Sequence, residues 1–308
     1  MIRPLMDLPM RRLAPALLAT LLPLAAHAEE APKTVSSVLA TTTGADWRGL
    51  EPENTLVMEL PSGRVVIELA PAFAPLHARN IRALAREGYF DGLAIVRVQD
   101  NYVTQWGDPK EGEPDARPIR TAESALPPEF LVKDAAALPF AAIPGPDAYA
   151  PEVGFVDGFP AARDPKTGEA WLAHCYGMVG VSRDGPESGS GAGLYAVIGH
   201  APRHLDRNIT VAGRVVQGME HLSALPRGTG PLGFYETAEQ RTPIATVKLA
   251  VDLPEAERPK FQVLKTSTPA WADYVEARRN RRDGWFVEPQ NASDLCNTLP
   301  PVRPPPAG

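Results

Sequence analysis

The sequence has little cysteine. Cys175 and Cys296 are the two cysteines among 308 residues, and they form no Cys-X-X-Cys motif. This spacing excludes a thioredoxin-type redox site, and two cysteines alone make a poor zinc site. In an oxidising compartment they could form a disulfide that ties the C-terminal extension to the main domain. The sequence leaves that disulfide and two buried free thiols equally open, because it does not show how far apart the cysteines lie.

Other signatures of chemistry are also missing. None of the six histidines lies at metal-ligand spacing from a matching carboxylate. The glycine-rich segment 189–193 is not a dinucleotide-binding fingerprint, since Leu194 occupies the place of the last glycine. Ser182 and Ser190 lie outside any recognisable nucleophile motif. We therefore expect neither a metal nor a cofactor.

The chain has no excess of basic charge. It contains 31 Lys and Arg against 37 Asp and Glu, a formal charge of −6. Nucleic-acid binding depends on basic surface for phosphate contacts, so an acidic chain argues against a nucleic-acid partner. After residue 28 there is no apolar run of the ~20 residues that a membrane-spanning helix needs. We expect a soluble mature protein with no stable insertion in a membrane.

The N-terminal residues have the pattern of an export signal. Three arginines precede an apolar run at residues 13–26, and Ala26-His27-Ala28 matches the small-x-small cleavage motif. We therefore expect residues 1–28 to be a signal peptide and, in a bacterial host, the mature protein to be periplasmic. Cleavage would leave 28 basic and 36 acidic residues, a formal charge of −8. The alternative is a short N-terminal anchor.

Eight short segments have the alternation or apolar character of β-strands. The 25 Gly and 34 Pro residues indicate many turns and long loops between them. Pro61-Ser62-Gly63 separates the first two segments and predicts a hairpin. The predicted strands are residues 55–60, 65–69, 93–98, 102–105, 177–182, 194–198, 209–215 and 246–251.

Three helices are predicted, two of them amphipathic and within the run of strands. Pro75 suits the first position of a helix and Gly88 suits its end, because glycine tolerates the left-handed conformation. A second helix is predicted at about residues 217–225, and a third at about 268–284. The third ends in a cluster of arginines, which indicates either a solvated helix end or a site for an anionic partner. The apolar stripe of the first helix comprises Ala78, Ile81, Leu84 and Ala85.

The pattern along the chain predicts one main domain with additions. Residues 29–54 are weakly periodic and predict a loose lead-in. The main domain spans 55–253, with an enlarged segment 109–170 that we expect to pack on it. Residues 254–297 form a C-terminal extension with a helix, for which an assembly role is one alternative. The proline-rich residues 298–308 predict a flexible tail.

Three blocks of the sequence, at residues 88–109, 177–199 and 204–222, resemble the cyclophilin family and follow the family's order. Residues 88–109, GYFDGLAIVRVQDNYVTQWGDP, resemble its tyrosine–aspartate–glycine turn, its arginine-bearing strand and its glycine–aspartate–proline end. Residues 177–199 resemble its strand, glycine–proline loop and aromatic strand. Residues 204–222 resemble its leucine–aspartate turn, strand and following helix. The resemblance covers roughly 55–252 and implies a mainly β fold, a closed eight-stranded antiparallel barrel capped by two helices.

The resemblance also implies a binding site on the outside of the barrel. Arg97 falls at the position of the family's catalytic arginine, and Val96 and Val98 are expected to face the core on the opposite side of the strand. The alternative is an ordinary exposed arginine on a strand. The residues that fall on substrate-contacting positions are Tyr102, Val103, Gln105, Ser182, Tyr195, His204 and Leu205. For the apolar ones among them, the alternative is plain core packing.

Several positions depart from the family pattern. Tyr102 stands where a phenylalanine is usual, and His204 stands at a tryptophan position. Gly193 lies near the place of a glutamine that reads the substrate backbone. Ile209 and Val96 replace histidines. These changes keep the arginine and the aromatic floor but remove polar contacts, so the resemblance implies weakened isomerase activity.

The implied activity is cis/trans isomerisation of X–Pro bonds. Rotation about a peptide bond meets a barrier of ~18–20 kcal/mol. A hydrogen-bond donor beside the prolyl group stabilises the twisted state, and an apolar pocket holds the pyrrolidine ring. The expected partners are proline-containing polypeptides, among them exported proteins that are folding. The alternative is a barrel that binds such segments, as a chaperone would, with little or no turnover.

Overall fold

The computed structural model describes residues 33–282 and 284–305. The predicted signal peptide, residues 1–28, lies outside the described residues. The described residues belong to one compact unit.

Its α-helices are α1 (Val35–Thr41), α2 (Pro75–Arg86), α3 (Met219–Ser223) and α4 (Pro269–Arg279). Its strands are β1 (Trp47–Gly49), β2 (Thr55–Leu60), β3 (Gly63–Leu69), β4 (Ala94–Val98), β5 (Val103–Gly107), β6 (Phe140–Ala142), β7 (Glu152–Val156), β8 (Phe159–Asp164), β9 (Glu169–Leu172), β10 (Met178–Val181), β11 (Leu194–Val197), β12 (Val211–Gln217), β13 (Thr242–Pro243), β14 (Thr246–Leu249), β15 (Gln262–Leu264) and β16 (Val302–Arg303).

A curled antiparallel sheet of nine strands forms the centre of the fold. Its order is β13-β4-β5-β11-β10-β12-β3-β2-β14. Each of the eight predicted strands has a counterpart in this sheet, and the short β13 is the addition. The mainly β prediction is therefore confirmed. The closed eight-stranded barrel is not confirmed, because the sheet has β13 and β14 as its two ends. Residues 242–249 nevertheless supply both end strands of the sheet. Within this segment β13 pairs with β4, and β14 pairs with β2.

The main hydrophobic core is formed by side chains from the strands of this sheet and from two helices. Helix α2 buries the predicted stripe, including Ile81 and Leu84, and α3 adds Leu222. Strands β2 and β3 contribute alternating aliphatic residues such as Met58 and Ile67. Gly88 has a φ of +70° and ends α2 as predicted, since a residue with a side chain rarely adopts that conformation.

A β-bulge on β4 corrects one prediction. Ile95 pairs with Trp106 and Arg97 pairs with Gln105, so Val96 is the extra residue between them. Ile95 and Val98 are fully buried in the core, whereas Val96 is only half-buried. The expectation that Val96 faces the core is therefore wrong, because period-two alternation fails across an inserted residue.

A second core lies outside the curled sheet. Within the enlarged segment 109–170 the chain forms most of a four-stranded antiparallel sheet, in the order β6-β7-β8-β9. Its Phe155 packs against Trp271 of α4, with ring centroids 4.9 Å apart. Trp47 and Leu264, from the sheet β1-β15-β16, belong to the same cluster. The lead-in and the C-terminal extension thus pack together with the insertion.

Two predictions about the ends of the chain are wrong. Residues 29–54 are not a loose lead-in where the structure describes them, since they form α1 and β1. Residues 298–305 are not a flexible tail, since β16 pairs with β15 and Thr298 is buried. The prolines that flank β16 do not disrupt its hydrogen bonds to β15, because β16 is a two-residue strand at the edge of the sheet. In the parts of the chain that the structure describes, no helix is long and apolar enough to cross a membrane.

A buried ion cluster connects the three sheets. Glu68 on β3 accepts hydrogen bonds from Arg48 on β1 at 2.5 Å and from Arg214 on β12 at 2.9 Å. The same two arginines donate to the carbonyls of Asp157 and Gly158, in the turn between β7 and β8. Burial alone would raise the pKa of Glu68, but the two guanidinium groups outweigh it and lower the pKa. The carboxylate therefore stays ionised where the sheets meet.

Cys175 and Cys296 form a disulfide. Their Cα atoms lie 4.9 Å apart, and 121 residues separate them along the chain. The alternative of two free thiols is therefore excluded. The bond ties the end of the C-terminal extension to the segment that leads into β10.

Cys296→Ser tests how much this bond stabilises the fold. Because the bond closes a long loop, we expect the substitution to lower the free energy of unfolding by about 2–5 kcal/mol. Urea unfolding followed by circular dichroism measures it, with wild type in dithiothreitol as the matching control. Equal stability of wild type with and without the reductant would contradict the expectation.

Candidate functional site

A straight row of residues crosses the outer face of the curled sheet. Arg97 on β4 pairs with Gln105 on β5, Gln105 pairs with Tyr195 on β11, and Tyr195 pairs with Gly180 on β10. Neighbouring strands lie about 4.8 Å apart, so the row brings four side-chain positions from distant parts of the chain within about 15 Å. The bulge at Val96 places Arg97 on this outer face.

Gly180 makes room for the aromatic ring of Tyr195. A Cβ atom at position 180 would lie 2.3 Å from both Cζ and Oη of Tyr195. The ring therefore lies across the backbone of β10, and it forms a small apolar cluster with Val103 and Val197. Tyr102 and Ile209 pack against that cluster.

The guanidinium of Arg97 is held by three oxygen atoms and two rings. Its Nη1 donates to Gln105 Oε1 at 3.2 Å, its Nε to the carbonyl of Leu232 at 2.7 Å, and its Nη2 to Gln99 Oε1. Its Cζ lies 5.6 Å from the ring centroid of Tyr102 and 5.3 Å from that of Phe234. Burial lowers the pKa of Arg97, but an arginine remains a cation in proteins.

These residues line one groove of about 460 Å³. Seven of the eight predicted site residues lie on its wall: Arg97, Tyr102, Val103, Gln105, Ser182, Tyr195 and Leu205. Ser182 lies at the end of the groove beyond β10, and its backbone N–H donates to the carbonyl of Gly193 at 3.0 Å. A Cβ at Gly193 would lie 2.1 Å from Ser182 Oγ. The serine hydroxyl thus occupies the space that a side chain at position 193 would need.

His204 does not line the groove. It is exposed, in the short helical turn Arg203–Leu205. Arg203 in the same turn is directed inward, where it binds Asp147 and Asp206. Because this buried pairing fixes the turn, His204 is directed to solvent, and the structure does not bring it to the groove wall with the other seven.

The loop at residues 226–236 contributes two groove residues that the sequence did not predict. Leu232 and Phe234 line the groove beside Arg97, with 67% and 39% of their surface exposed. Backbone bonds from Gly228 to the carbonyl of Val98 and from Tyr235 to that of Val96 fasten the loop to β4. The three glycines of Gly228-Thr-Gly-Pro-Leu-Gly233 were the available signal, because they permit this tight packing.

The opposite end of the groove is acidic. Glu111, Asp184 and Glu187 line it, together with Arg183. Burial raises the pKa of Glu111, and the nearby Asp184 and Asp108 raise it further. The groove therefore runs from an apolar end at Leu232 to a negatively charged end at Asp184.

The arrangement offers a fixed cationic donor next to an apolar slot. Such a pair can polarise a carbonyl or a prolyl nitrogen while it holds a small apolar ring. Within residues 33–282 and 284–305, no group of three or more His, Cys, Asp or Glu is placed to hold a metal ion. The groove residues named above can act by hydrogen bonding and by shape.

Comparison with known proteins agrees with this geometry. The family model "Cyclophilin type peptidyl-prolyl cis-trans isomerase/CLD" matches residues 55–250. A probable peptidyl-prolyl cis-trans isomerase of Brucella suis is 27% identical over 186 residues, which cover 58% of this chain and 74% of the relative. Peptidyl-prolyl cis-trans isomerase ppi1 of Schizosaccharomyces pombe is 45% identical over 47 residues, 15% of this chain and 30% of the relative.

A solved structure is similar beyond the matched domain. The crystal structure of cyclophilin AquaCyp293 from Hirschia baltica superposes with a TM-score of 0.67 at 26% identity. It covers 88% of this chain and 97% of its own, so the similarity extends past residues 55–250. The resemblance seen in the sequence is confirmed, and the chain belongs to the cyclophilin-type peptidyl-prolyl cis-trans isomerase family.

Proposed function

We propose that this protein isomerises X–Pro bonds in exported polypeptides, with Arg97 as the catalytic residue. One observation supports this most strongly: the Arg97 guanidinium lies at the edge of a slot whose wall includes Tyr102, Val103, Tyr195 and Leu205. The slot takes the pyrrolidine ring of the substrate. Family membership supports the reaction class, while the residue roles rest on the geometry.

The reaction needs no bond to be made or broken. As the imide twists, its double-bond character is lost and the lone pair returns to the prolyl nitrogen. A guanidinium N–H that donates to this nitrogen stabilises the twisted state more than either planar isomer, which lowers the barrier. Gln105 and the carbonyl of Leu232 hold Arg97 in place beforehand, so little reorganisation accompanies the twist.

The second candidate function is binding of proline segments without useful turnover. It is favoured by the engagement of Arg97, which already donates to Leu232, Gln105 and Gln99. It is also favoured by Gly193, which offers no side chain to read a substrate backbone. In this case the groove would hold client segments and release them unchanged.

Arg97→Ala separates the two functions. We expect the substitution to lower kcat/KM for a proline tetrapeptide about 100-fold or more, since it removes the transition-state donor. An isomerisation assay followed by NMR exchange measures it. Arg79→Ala, an exposed arginine on α2, is the matched control and should match wild type. Equal rates for Arg97→Ala and wild type would reject the mechanism, and peptide binding without catalysis by wild type would support the second function.

Leu232→Asn tests the wall that the loop provides. Leu232 has a φ of +56°, a conformation that asparagine tolerates better than leucine. We expect the free energy of unfolding to stay equal or rise by up to about 1 kcal/mol. Loss of the apolar contact should lower kcat/KM about threefold. Val287→Asn, at another exposed apolar side chain outside the groove, is the control. Unchanged kcat/KM would remove Leu232 from the site.

The export part of the proposal rests on the N-terminal motif and on the disulfide. Structural disulfides form in oxidising compartments such as the bacterial periplasm. If the full chain is expressed in a bacterium and fractionated, we expect a periplasmic protein whose first residue is Glu29. Mass spectrometry of the intact protein measures this, and an uncleaved cytoplasmic chain would contradict it.

A further inference from the structure

The tyrosine on the floor of the groove contacts a buried histidine. Tyr195 Oη lies 3.0 Å from His174 Nε2, and His174 Nδ1 lies 3.0 Å from Asp206 Oδ1. All three side chains are buried, and the planes of the two rings lie 14° apart with their centroids 6.4 Å apart. The backbone N–H of His174 also donates to Asp206 Oδ1 at 3.0 Å.

The hydrogen-bond chain continues into the insertion. Asp206 Oδ2 accepts from Arg203 Nε at 2.5 Å, and Arg203 donates through both Nη atoms to Asp147 at 3.0 and 3.2 Å. Asp147 belongs to the enlarged segment 109–170. The chain of hydrogen bonds therefore runs without a gap from the groove floor to the added segment.

The partners fix the place of each proton. Burial raises the pKa of Tyr195, so its hydroxyl keeps its proton and is available as a donor. Burial would raise the pKa of Asp206, but the hydrogen bond from His174 and the charge of Arg203 outweigh it and lower the pKa. Asp206 is thus an ionised acceptor. His174 then donates from Nδ1 to Asp206 and accepts the tyrosine hydroxyl at Nε2.

We propose that His174 is a positioning residue for isomerisation, which holds the Tyr195 hydroxyl over β10 so that the ring presents its face to the proline. This rests on the proposed function of the groove. The physical reason is that a buried hydroxyl without a partner is costly. Without His174, the hydroxyl finds a partner by turning toward the solvated groove, and the ring no longer fills the floor of the slot.

A double-mutant cycle tests this role. Because the floor binds the proline ring equally before and during the twist, its loss should raise KM and leave kcat nearly unchanged. We expect His174→Phe to raise KM about tenfold. Tyr195→Phe should stay within about twofold of wild type, since the ring remains and the hydroxyl is gone. In the Tyr195→Phe background, His174→Phe should have no further effect on KM, because there is no hydroxyl left to hold.

Two more variants serve as a rescue and as a control. His174→Gln supplies a new acceptor for the hydroxyl and should rescue KM to within about threefold of wild type. If His174→Phe does not fold, His174→Gln is measured in its place. His200→Phe changes an exposed histidine outside the chain of hydrogen bonds and should match wild type. Thermal unfolding of each variant gives the structural effect alone.

The outcomes are distinguishable. If His174→Phe raises KM equally with Tyr and with Phe at position 195, or leaves it unchanged, the positioning role is overturned. If wild type lacks Arg97-dependent turnover, the proposed function fails instead. The same cycle is then measured as the Kd of a proline tetrapeptide by calorimetry, where the same background dependence supports the positioning role and its absence overturns it.

Discussion

The hold on the Arg97 guanidinium is the constraint on which the rest of the site depends. A flexible arginine at a protein surface samples many rotamers. Ordering it during the reaction costs entropy, so it stabilises the transition state less than an arginine that is already fixed. Here an amide oxygen, a backbone carbonyl and two aromatic rings fix it on the outer face of the sheet. The bulge at Val96 supplies the orientation, because it turns Arg97 outward while Ile95 and Val98 stay in the core.

The additions to the matched domain act as one supporting layer. The insertion, the lead-in and the extension share a core around Trp47, Phe155 and Trp271. The cluster of Arg48, Glu68 and Arg214 fastens that core to the curled sheet. The Cys175–Cys296 bond joins the extension to the residue next to His174. Through the hydrogen bonds from Asp147 to Tyr195, the additions are connected to the floor of the groove.

Much of the central sheet and part of the site could be predicted from the sequence. Alternation and turn residues predicted all eight longer strands of the central sheet, since strands with one buried face must alternate. The family motifs predicted Arg97 and the slot. The bulge at Val96 was missed because one inserted residue leaves no mark in a period-two pattern. The strands of the insertion were missed because they are short and lie among prolines and alanines.

The remaining differences between the predictions and the structure arise from tertiary contacts that sequence patterns do not contain. The orientation of His204 is set by the burial of Arg203 against Asp147, a residue 56 positions away. Leu232 and Phe234 reach the groove because the loop bonds to β4, which no local propensity encodes. The tail joins a sheet because β15 offers it a free edge. In each case the deciding partner is distant along the chain.

The most direct measurement is a crystal structure of the protein with a bound alanyl-proline peptide. The account predicts the pyrrolidine ring against Tyr102, Val103 and Tyr195, with an Arg97 guanidinium nitrogen within about 3.5 Å of the prolyl nitrogen or carbonyl oxygen. A proline ring bound elsewhere, or an Arg97 that remains directed away from the peptide, would contradict it.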